Sequence, residues 1–253
     1  MNQLADNEKL LDFLLYSYFG CERKELEQSG KEKCAYRAYL DLNRRIEYLY
    51  SSNALDNMQS RKTSEEDKNI AKKYKEAKKA LIESVCDIIL CSVDKYECVD
   101  GQFGLWHKAK CEEIMGTMNT AVFQDDSLIL KSNSFTYGLA QKWVNMTLKY
   151  LWLLDRLPEG LTAKSLHVPI DSFIIEKLQE ENVDEIRRDG DTYKYKGKSW
   201  SQLDDYDVYL DIQTKIGQIA EKAFPIEWEG PAWIKVAQQR NEKEETRKKI
   251  KNK

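Results

Sequence analysis

Residues 134–176 read SFTYGLAQKWVNMTLKYLWLLDRLPEGLTAKSLHVPIDSFIIE and contain two helix starts. After Gly138 the apolar side chains recur every three or four positions, which is the spacing of one face of an α-helix. These positions are Leu139, Trp143, Met146, Tyr150 and Leu153 or Leu154. The opposite, polar face is expected to carry Gln141, Lys142, Asn145 and Lys149. The spacing therefore predicts a helix over 138–154 that is the central and most buried element of the fold.

The second helix start lies at 167–171, His-Val-Pro-Ile-Asp. Proline is tolerated at the first helical position, where its missing N–H would have no partner in any case. An acidic residue in the first turn interacts favourably with the positive end of the helix. Lys142 and Asp171 are both expected near helix N-termini.

This arrangement resembles the core of the helix-hairpin-helix DNA glycosylases. In that superfamily a glycine-bearing hairpin leads into a helix that carries a lysine, and a Pro-Val-Asp-like turn supplies an aspartate. Gly138, Lys142 and 168–171 stand in the corresponding places. The long interval between the lysine and the aspartate is more similar to the archaeal 8-oxoguanine glycosylases than to the endonuclease III type. The superfamily hairpin usually carries more than one glycine, whereas Gly138 is single here.

The resemblance implies a DNA glycosylase that excises a modified or damaged base through Lys142 and Asp171. Such enzymes extrude the nucleotide into a pocket, where Lys142 would attack the sugar C1′ and Asp171 would stabilise the positive charge developing on the sugar. Backbone amides around a helix N-terminus can hold a phosphate, and the residues assigned to DNA contacts are Gly138, Gln141, Asn145 and Lys149. The candidates for the base pocket are Trp106, His107, Tyr137, Trp143 and Trp200. The alternative for His107 is a structural, hydrogen-bonded role, which is the more common role of a lone histidine.

Composition predicts an all-α globular protein. The chain has 253 residues, 42% of them hydrophobic and 33% charged, with only 4 prolines and 11 glycines for turns. We expect a single α-helical domain over 1–253, or two lobes over 1–116 and 117–253. The predicted helices cover about 7–28, 34–51, 63–92 and 105–115, followed by those near 138, 171, 206 and the C-terminus. One short β-ribbon is predicted near 192–196, where tyrosines and lysines alternate.

The cysteine and histidine content predicts neither a metal site nor a cofactor. The six cysteines form no Cys-x-x-Cys pair and only two histidines are present, whereas zinc and iron–sulfur sites use tighter spacings. The N-terminus is too polar for a signal peptide, and no run of 18 apolar residues exists. We expect a cytoplasmic protein without membrane association.

A non-enzymatic interpretation competes with the glycosylase. The formal net charge of −3 is atypical of a dedicated nucleic-acid binder. The lysines at 72, 73, 75, 78 and 79 are read as a solvated helix surface rather than a phosphate-binding patch. The alternative is a helical interaction protein of a bacterial defence or regulatory system, with a protein partner. The sequence specifies neither the base, the strandedness of the DNA nor the oligomeric state.

Overall fold

The computed structural model describes residues 2–50, 65–96, 102–120, 130–132, 134–183, 185–188, 191–194, 199–221 and 223–251. Within these ranges the chain forms eight α-helices: α1 (Asn2–Phe19), α2 (Arg23–Leu42), α3 (Glu65–Asp94), α4 (Phe103–Asn119), α5 (Tyr137–Leu153), α6 (Ser172–Glu180), α7 (Tyr206–Ala220) and α8 (Pro225–Lys251). Two 3-10 turns cover Asn43–Arg45 and Trp200–Gln202. The predicted all-α class is confirmed.

The strands are short and form two separate antiparallel pairs. Strand β1 (Tyr48–Tyr50) pairs with β2 (Leu130–Ser132), a pairing that the sequence did not predict. Strand β3 (Glu185–Arg188) pairs with β4 (Asp191–Lys194). The predicted ribbon coincides with β4 over 192–194, while residues 195 and 196 lie outside the described ranges.

Helix α5 is the central helix, as predicted. Every residue from Gly138 to Leu148 is buried, and so are Tyr150 and Leu151. The helix packs against α2 and α4, and the Trp143 indole N–H donates a hydrogen bond to the Ala35 carbonyl at 2.9 Å. The expectation of a solvated polar face is wrong, because Gln141, Lys142 and Asn145 are all buried.

The two N-terminal helices have different bounds from those predicted. Helix α1 stops before Gly20, whose φ of 70° lies in the left-handed region that glycine adopts easily. Helix α2 then begins with a capping box between Glu22 and Glu25. The density of apolar residues in α1 predicts a buried helix, yet Leu10 is 61% exposed and Phe13 is 67% exposed.

Helix α3 supplies a long buried face to the core. Its buried apolar residues include Tyr74, Ala77, Leu81 and Val85, which recur every three or four positions as one face of a helix requires. Residues 63–66, Thr-Ser-Glu-Glu, have the sequence of a capping box, but residues 63 and 64 lie outside the described ranges. Surface lysines of this helix pair with glutamates one turn away, as a solvated surface would.

One hydrophobic cluster connects the helices from Cys34 on α2 to Ile226 on α8. The choice between a single domain and two lobes stays a prediction. None of the described helices combines the length and apolarity needed to cross a membrane.

Candidate functional site

Lys142 and Asp171 meet in the structure. Lys142 lies in the second turn of α5, and Asp171 is the N-cap residue of α6. The Lys142 Nζ donates to Asp171 Oδ2 at 2.8 Å. The two side chains are only 7% and 13% exposed. The pair is therefore a largely buried ion pair, and Lys142 is not the solvated surface group that the helical pattern suggested.

Four donors hold the Asp171 carboxylate in place. Its Oδ1 accepts the backbone N–H groups of Phe173 and Ile174 at 2.9 and 3.1 Å, the usual role of an N-cap aspartate. Its Oδ2 accepts from Lys142 and, at 3.3 Å, from the Trp233 indole N–H. Burial raises the pKa of Asp171, but Lys142 and the two amides together lower it below its ordinary value. Asp171 is thus ionised at neutral pH.

Two amide side chains fix the backbone that precedes Asp171. Gln141 donates to the carbonyls of Gly138 and Ile170, and its Oε1 accepts the Ile170 N–H. Asn145 donates to Gln141 Oε1 and to the Tyr209 hydroxyl. The assignment of Gln141 and Asn145 to DNA contacts is corrected, because both are buried and hold the 168–170 segment against α5.

Gly138 also has a packing role instead of the expected phosphate contact. Its N–H donates to the Leu203 carbonyl at 2.8 Å, so it does not point to solvent. A Cβ at this position would lie 2.0 Å from the Trp200 carbonyl oxygen. Glycine is required because the backbone of the second 3-10 turn lies directly against the start of α5. The described residues just before α5 belong to β2 and a short connection, not to a preceding helix.

The Lys142–Asp171 pair lines a cleft of about 650 Å³. Two aromatic rings, Phe173 of α6 and Trp233 of α8, lie beside Asp171 with their centroids 4.4 Å apart. Lys149, the fourth residue assigned to DNA contacts, also lines this cleft and forms an ion pair with Glu229. Its ammonium is already partnered within the protein.

A second cluster of polar side chains lines the cleft, and helices α1, α2 and α5 contribute its residues. Asp41 accepts from Arg37 Nη2 at 2.9 Å and from the Tyr150 hydroxyl. The hydroxyls of Tyr18 and Tyr150 are 2.6 Å apart, and the Arg37 guanidinium lies over the Tyr18 ring at 4.1 Å. Arg44 also lines the cleft and forms no ion pair with a described residue. These groups come from segments far from the 134–176 stretch.

None of the five residues proposed for the base pocket lines this cleft. Trp143 is buried between α5 and α2, and Trp200 packs against Gly138. Trp106 lies against Tyr96, with ring centroids 5.4 Å apart. The Tyr137 hydroxyl donates to Glu112 at 2.7 Å. These residues were proposed because they carry aromatic rings. The fold places their side chains outside the cleft that Lys142 lines.

His107 has the structural, hydrogen-bonded role that the sequence offered as the alternative to a place in the base pocket. It is fully buried, with Nδ1 2.8 Å from the Tyr206 hydroxyl and its ring stacked on Tyr209. Burial and the neighbouring His167 lower its pKa well below the ordinary value. His167 contacts the Tyr209 hydroxyl at 2.8 Å, and burial lowers its pKa to about 4. Both imidazoles are neutral at pH 7.

Sequence reasoning missed the cleft residues Trp233, Phe173, Tyr18 and Asp41. The aromatic segment at 225–234 was visible as a pattern, but nothing in it indicated proximity to Asp171. Among the described residues, no group of three or more His, Cys, Asp or Glu side chains is placed to hold a metal ion. The five described cysteines are free thiols, and Cys98 lies outside the described ranges.

Comparison with known proteins gives no relative for this chain: no family model, curated protein or solved structure matches it. The functional argument therefore depends on the geometry of the cleft.

Proposed function

We propose that the protein is a DNA glycosylase that removes a modified or damaged base through Lys142 and Asp171. The observation that carries the proposal is the buried ion pair at 2.8 Å on the wall of a cleft large enough for a nucleotide. An amine, a carboxylate and aromatic rings are the three groups that base excision needs in one place. The aromatic rings are Phe173 and Trp233 rather than those expected from the sequence.

A gain in folding stability alone seldom explains a buried ion pair. Removing both charges from water costs several kcal/mol, and a well-packed apolar pair is often as stable. Buried charge pairs in clefts are therefore candidates for functional sites. Lys142 and Asp171 fit this description, since each is mostly buried and both line the same cleft.

The geometry supports a balanced reaction. Lys142 transfers a proton to Asp171 Oδ2, which already accepts its N–H, and the neutral amine attacks C1′. The C1′–N glycosidic bond breaks, and the base leaves with the electron pair and takes the proton from Asp171. Opening of the sugar then breaks the C1′–O4′ bond, moves the second amine proton to O4′ and leaves a Schiff base between Lys142 and C1′.

The charge of the cleft favours an anionic ligand slightly. Four cationic side chains line it against three carboxylates, and Arg44 is the cation that forms no ion pair with a described residue. A local positive excess can attract phosphate even though the chain as a whole carries a net charge of −3. Binding of DNA is expected to weaken steeply with salt, because each neutralised phosphate releases counterions.

The test is base excision from single- and double-stranded oligonucleotides that carry a panel of damaged and modified bases. Wild-type protein should release at least one base, and Asp171→Asn should slow release by orders of magnitude while sparing DNA affinity. Lys177→Gln is the matched control, because Lys177 is also buried and ion-paired but lies outside the cleft. Excision that is equally fast in wild type and Asp171→Asn would refute the proposal.

A second candidate function has one observation of its own. Helix α1 exposes large apolar side chains, among them Leu10, Leu11, Phe13 and Leu14. Such a patch is typical of a protein-binding surface, and it favours the non-enzymatic interaction protein. If that is the function, Leu10→Ser with Leu14→Ser should abolish partner binding in co-purification, and Lys142→Gln should leave it unchanged. Partner binding that persists in the variant with Leu10→Ser and Leu14→Ser, or that is lost in Lys142→Gln, would argue against this function.

A further inference from the structure

We infer that a second cavity of the protein binds a small molecule that combines an aromatic ring with one anionic group. The cavity has a volume of about 630 Å³ and lies among the 160–167 segment, the start of α4 and helix α7. It shares no lining residue with the cleft of Lys142 and Asp171. Its volume is within the range of small-molecule pockets, about 300–1,000 Å³. The inference goes beyond base excision and does not depend on it.

His167 offers a hydrogen-bond donor to a ligand in this cavity, which it lines. The single proton of the Tyr209 hydroxyl goes to His167 Nδ1 at 2.8 Å, because the other acceptor, His107 Nε2, is 3.5 Å away. A neutral imidazole that accepts at one nitrogen carries its proton on the other. The Nε2–H of His167 has no hydrogen bond to a described residue, so it is available to a ligand.

Three more donors lie within five residues of His167. The side chains of Thr162, Lys164 and Ser165 line the same cavity, and none of them is hydrogen-bonded or ion-paired to a described residue. The segment 162–167 therefore supplies an ammonium, an imidazole N–H and two hydroxyls. Such a set of donors fits the oxygens of a carboxylate or a phosphate, and the charged donor forms the strongest of these hydrogen bonds.

The opposite wall of the cavity does not compete for these donors. Among the described residues that line the cavity none carries a carboxylate, and Lys164 is the one formal charge. Gln213 of α7 holds the N–H and the carbonyl of Val168 at 2.9 and 2.7 Å. The Thr214 hydroxyl donates to the Leu210 carbonyl at 3.0 Å. A ligand that satisfies the donors of the 162–167 segment must therefore bring its own acceptors and a negative charge.

The remaining wall is apolar and partly aromatic. Tyr96 and Phe103 line the cavity with ring centroids 6.3 Å apart, and Phe103 contacts the His167 ring edge to face at 4.8 Å. Leu166 and Pro225 add aliphatic surface. Aromatic walls hold a planar ring by offset-stacked or edge-to-face contacts. A nucleoside monophosphate and an aromatic carboxylate both combine such a ring with an anionic group.

Isothermal titration calorimetry with four probes tests the inference. Adenosine 5′-monophosphate is compared with adenosine, and indole-3-acetate with indole-3-acetamide, its neutral analogue. At least one anion should bind with a dissociation constant below about 1 mM and about fivefold more tightly than its neutral analogue, because the lysine is solvent-accessible. The anion that binds shows whether the cavity takes a phosphate or a carboxylate. Lys164→Gln should remove the preference for the anion. Lys75→Gln, which changes an exposed lysine of α3 outside the cavity, is the control and should keep it.

A further variant tests where the probe binds. Thr214 is an exposed residue of α7 that lines the cavity, so Thr214→Trp should fill part of the cavity at little cost in stability and should prevent binding. The inference is overturned if neither anion binds wild-type protein at millimolar concentration. It is also overturned if the preference for the anion survives in Lys164→Gln, or if folded Thr214→Trp binds as wild type does. None of these titrations involves base excision, so their failure is separate from failure of the proposed function.

Discussion

The coupling between Lys142 and Asp171 gives a stability prediction that is independent of any activity. Replacing Lys142 with methionine keeps the apolar stem and removes the ammonium, which leaves the Asp171 carboxylate 13% exposed and without its counter-charge. Breaking a fully buried pair costs about 3–5 kcal/mol. Here Asp171 keeps three N–H donors, so we expect a loss of about 2 kcal/mol in the free energy of unfolding.

A double-mutant cycle separates the pair from the individual side chains. Asp171→Asn preserves the N-cap, because asparagine caps helices as well as aspartate, but leaves Lys142 unpaired. The double variant should be more stable than the sum of the single effects by about 1–2 kcal/mol. Urea denaturation at pH 7 measures each value. Lys177→Met, whose partners Glu180 and Glu181 are solvent-accessible, is the control and should cost about 0.5 kcal/mol or less.

A coupling energy indistinguishable from zero would refute the reasoning, because two charges at 2.8 Å with little solvent access cannot be independent. The same measurement shows how much stability Lys142 variants retain. A domain with about 5–15 kcal/mol of stability tolerates this loss, so the variants remain usable in activity assays.

Trp233→Phe keeps an aromatic ring but removes the N–H bond to Asp171, so base excision should fall about three- to tenfold in single-turnover kinetics with DNA affinity unchanged. Gly138→Ala should cost about 2–3 kcal/mol in thermal denaturation, because its Cβ would lie 2.0 Å from a backbone oxygen; Gly116→Ala, with nothing within 4 Å, should be neutral or stabilising. Burial lowers the pKa of His167 to about 4, so the unfolded chain binds a proton more readily and stability falls as the pH drops from 6.5 towards 4. His107, whose pKa is also lowered by burial, adds a loss of its own over the same range. The loss of stability between pH 7 and pH 5, measured by urea denaturation, should therefore be about 2 kcal/mol smaller in His167→Gln than in wild type.

Local patterns located the central helix and the two residues of the proposed catalytic pair. The three-to-four spacing of apolar residues located α5. The helix start predicted at 167–171 correctly placed Asp171 at the N-terminus of α6, but the helix begins at Ser172, so Pro169 lies before it and Asp171 is the N-cap and not a first-turn residue. Helical periodicity and capping depend on residues a few positions apart. These local patterns placed Lys142 and Asp171 near helix N-termini, whereas their proximity was expected only from the resemblance to the glycosylases.

The remaining features depend on contacts between distant segments. Gln141 and Asn145 were assigned to a polar surface, yet they are buried because the 168–170 backbone and Tyr209 supply their partners. The cleft takes its other walls from α1, α2 and α8. Residue type alone does not show where a side chain lies after such packing, and this is why the five predicted base-pocket residues lie elsewhere.

The central claim is that the Lys142 amine attacks C1′, and covalent trapping tests it most directly. Wild-type protein is incubated with an oligonucleotide containing an abasic site, whose C1′ aldehyde needs no base removal, and the Schiff base is reduced with borohydride. Mass spectrometry of the digested adduct should locate the sugar on Lys142, and Lys142→Gln should give no adduct while Lys177→Gln gives the wild-type amount. Trapping that survives in Lys142→Gln, or no trapping by wild type, would contradict the account.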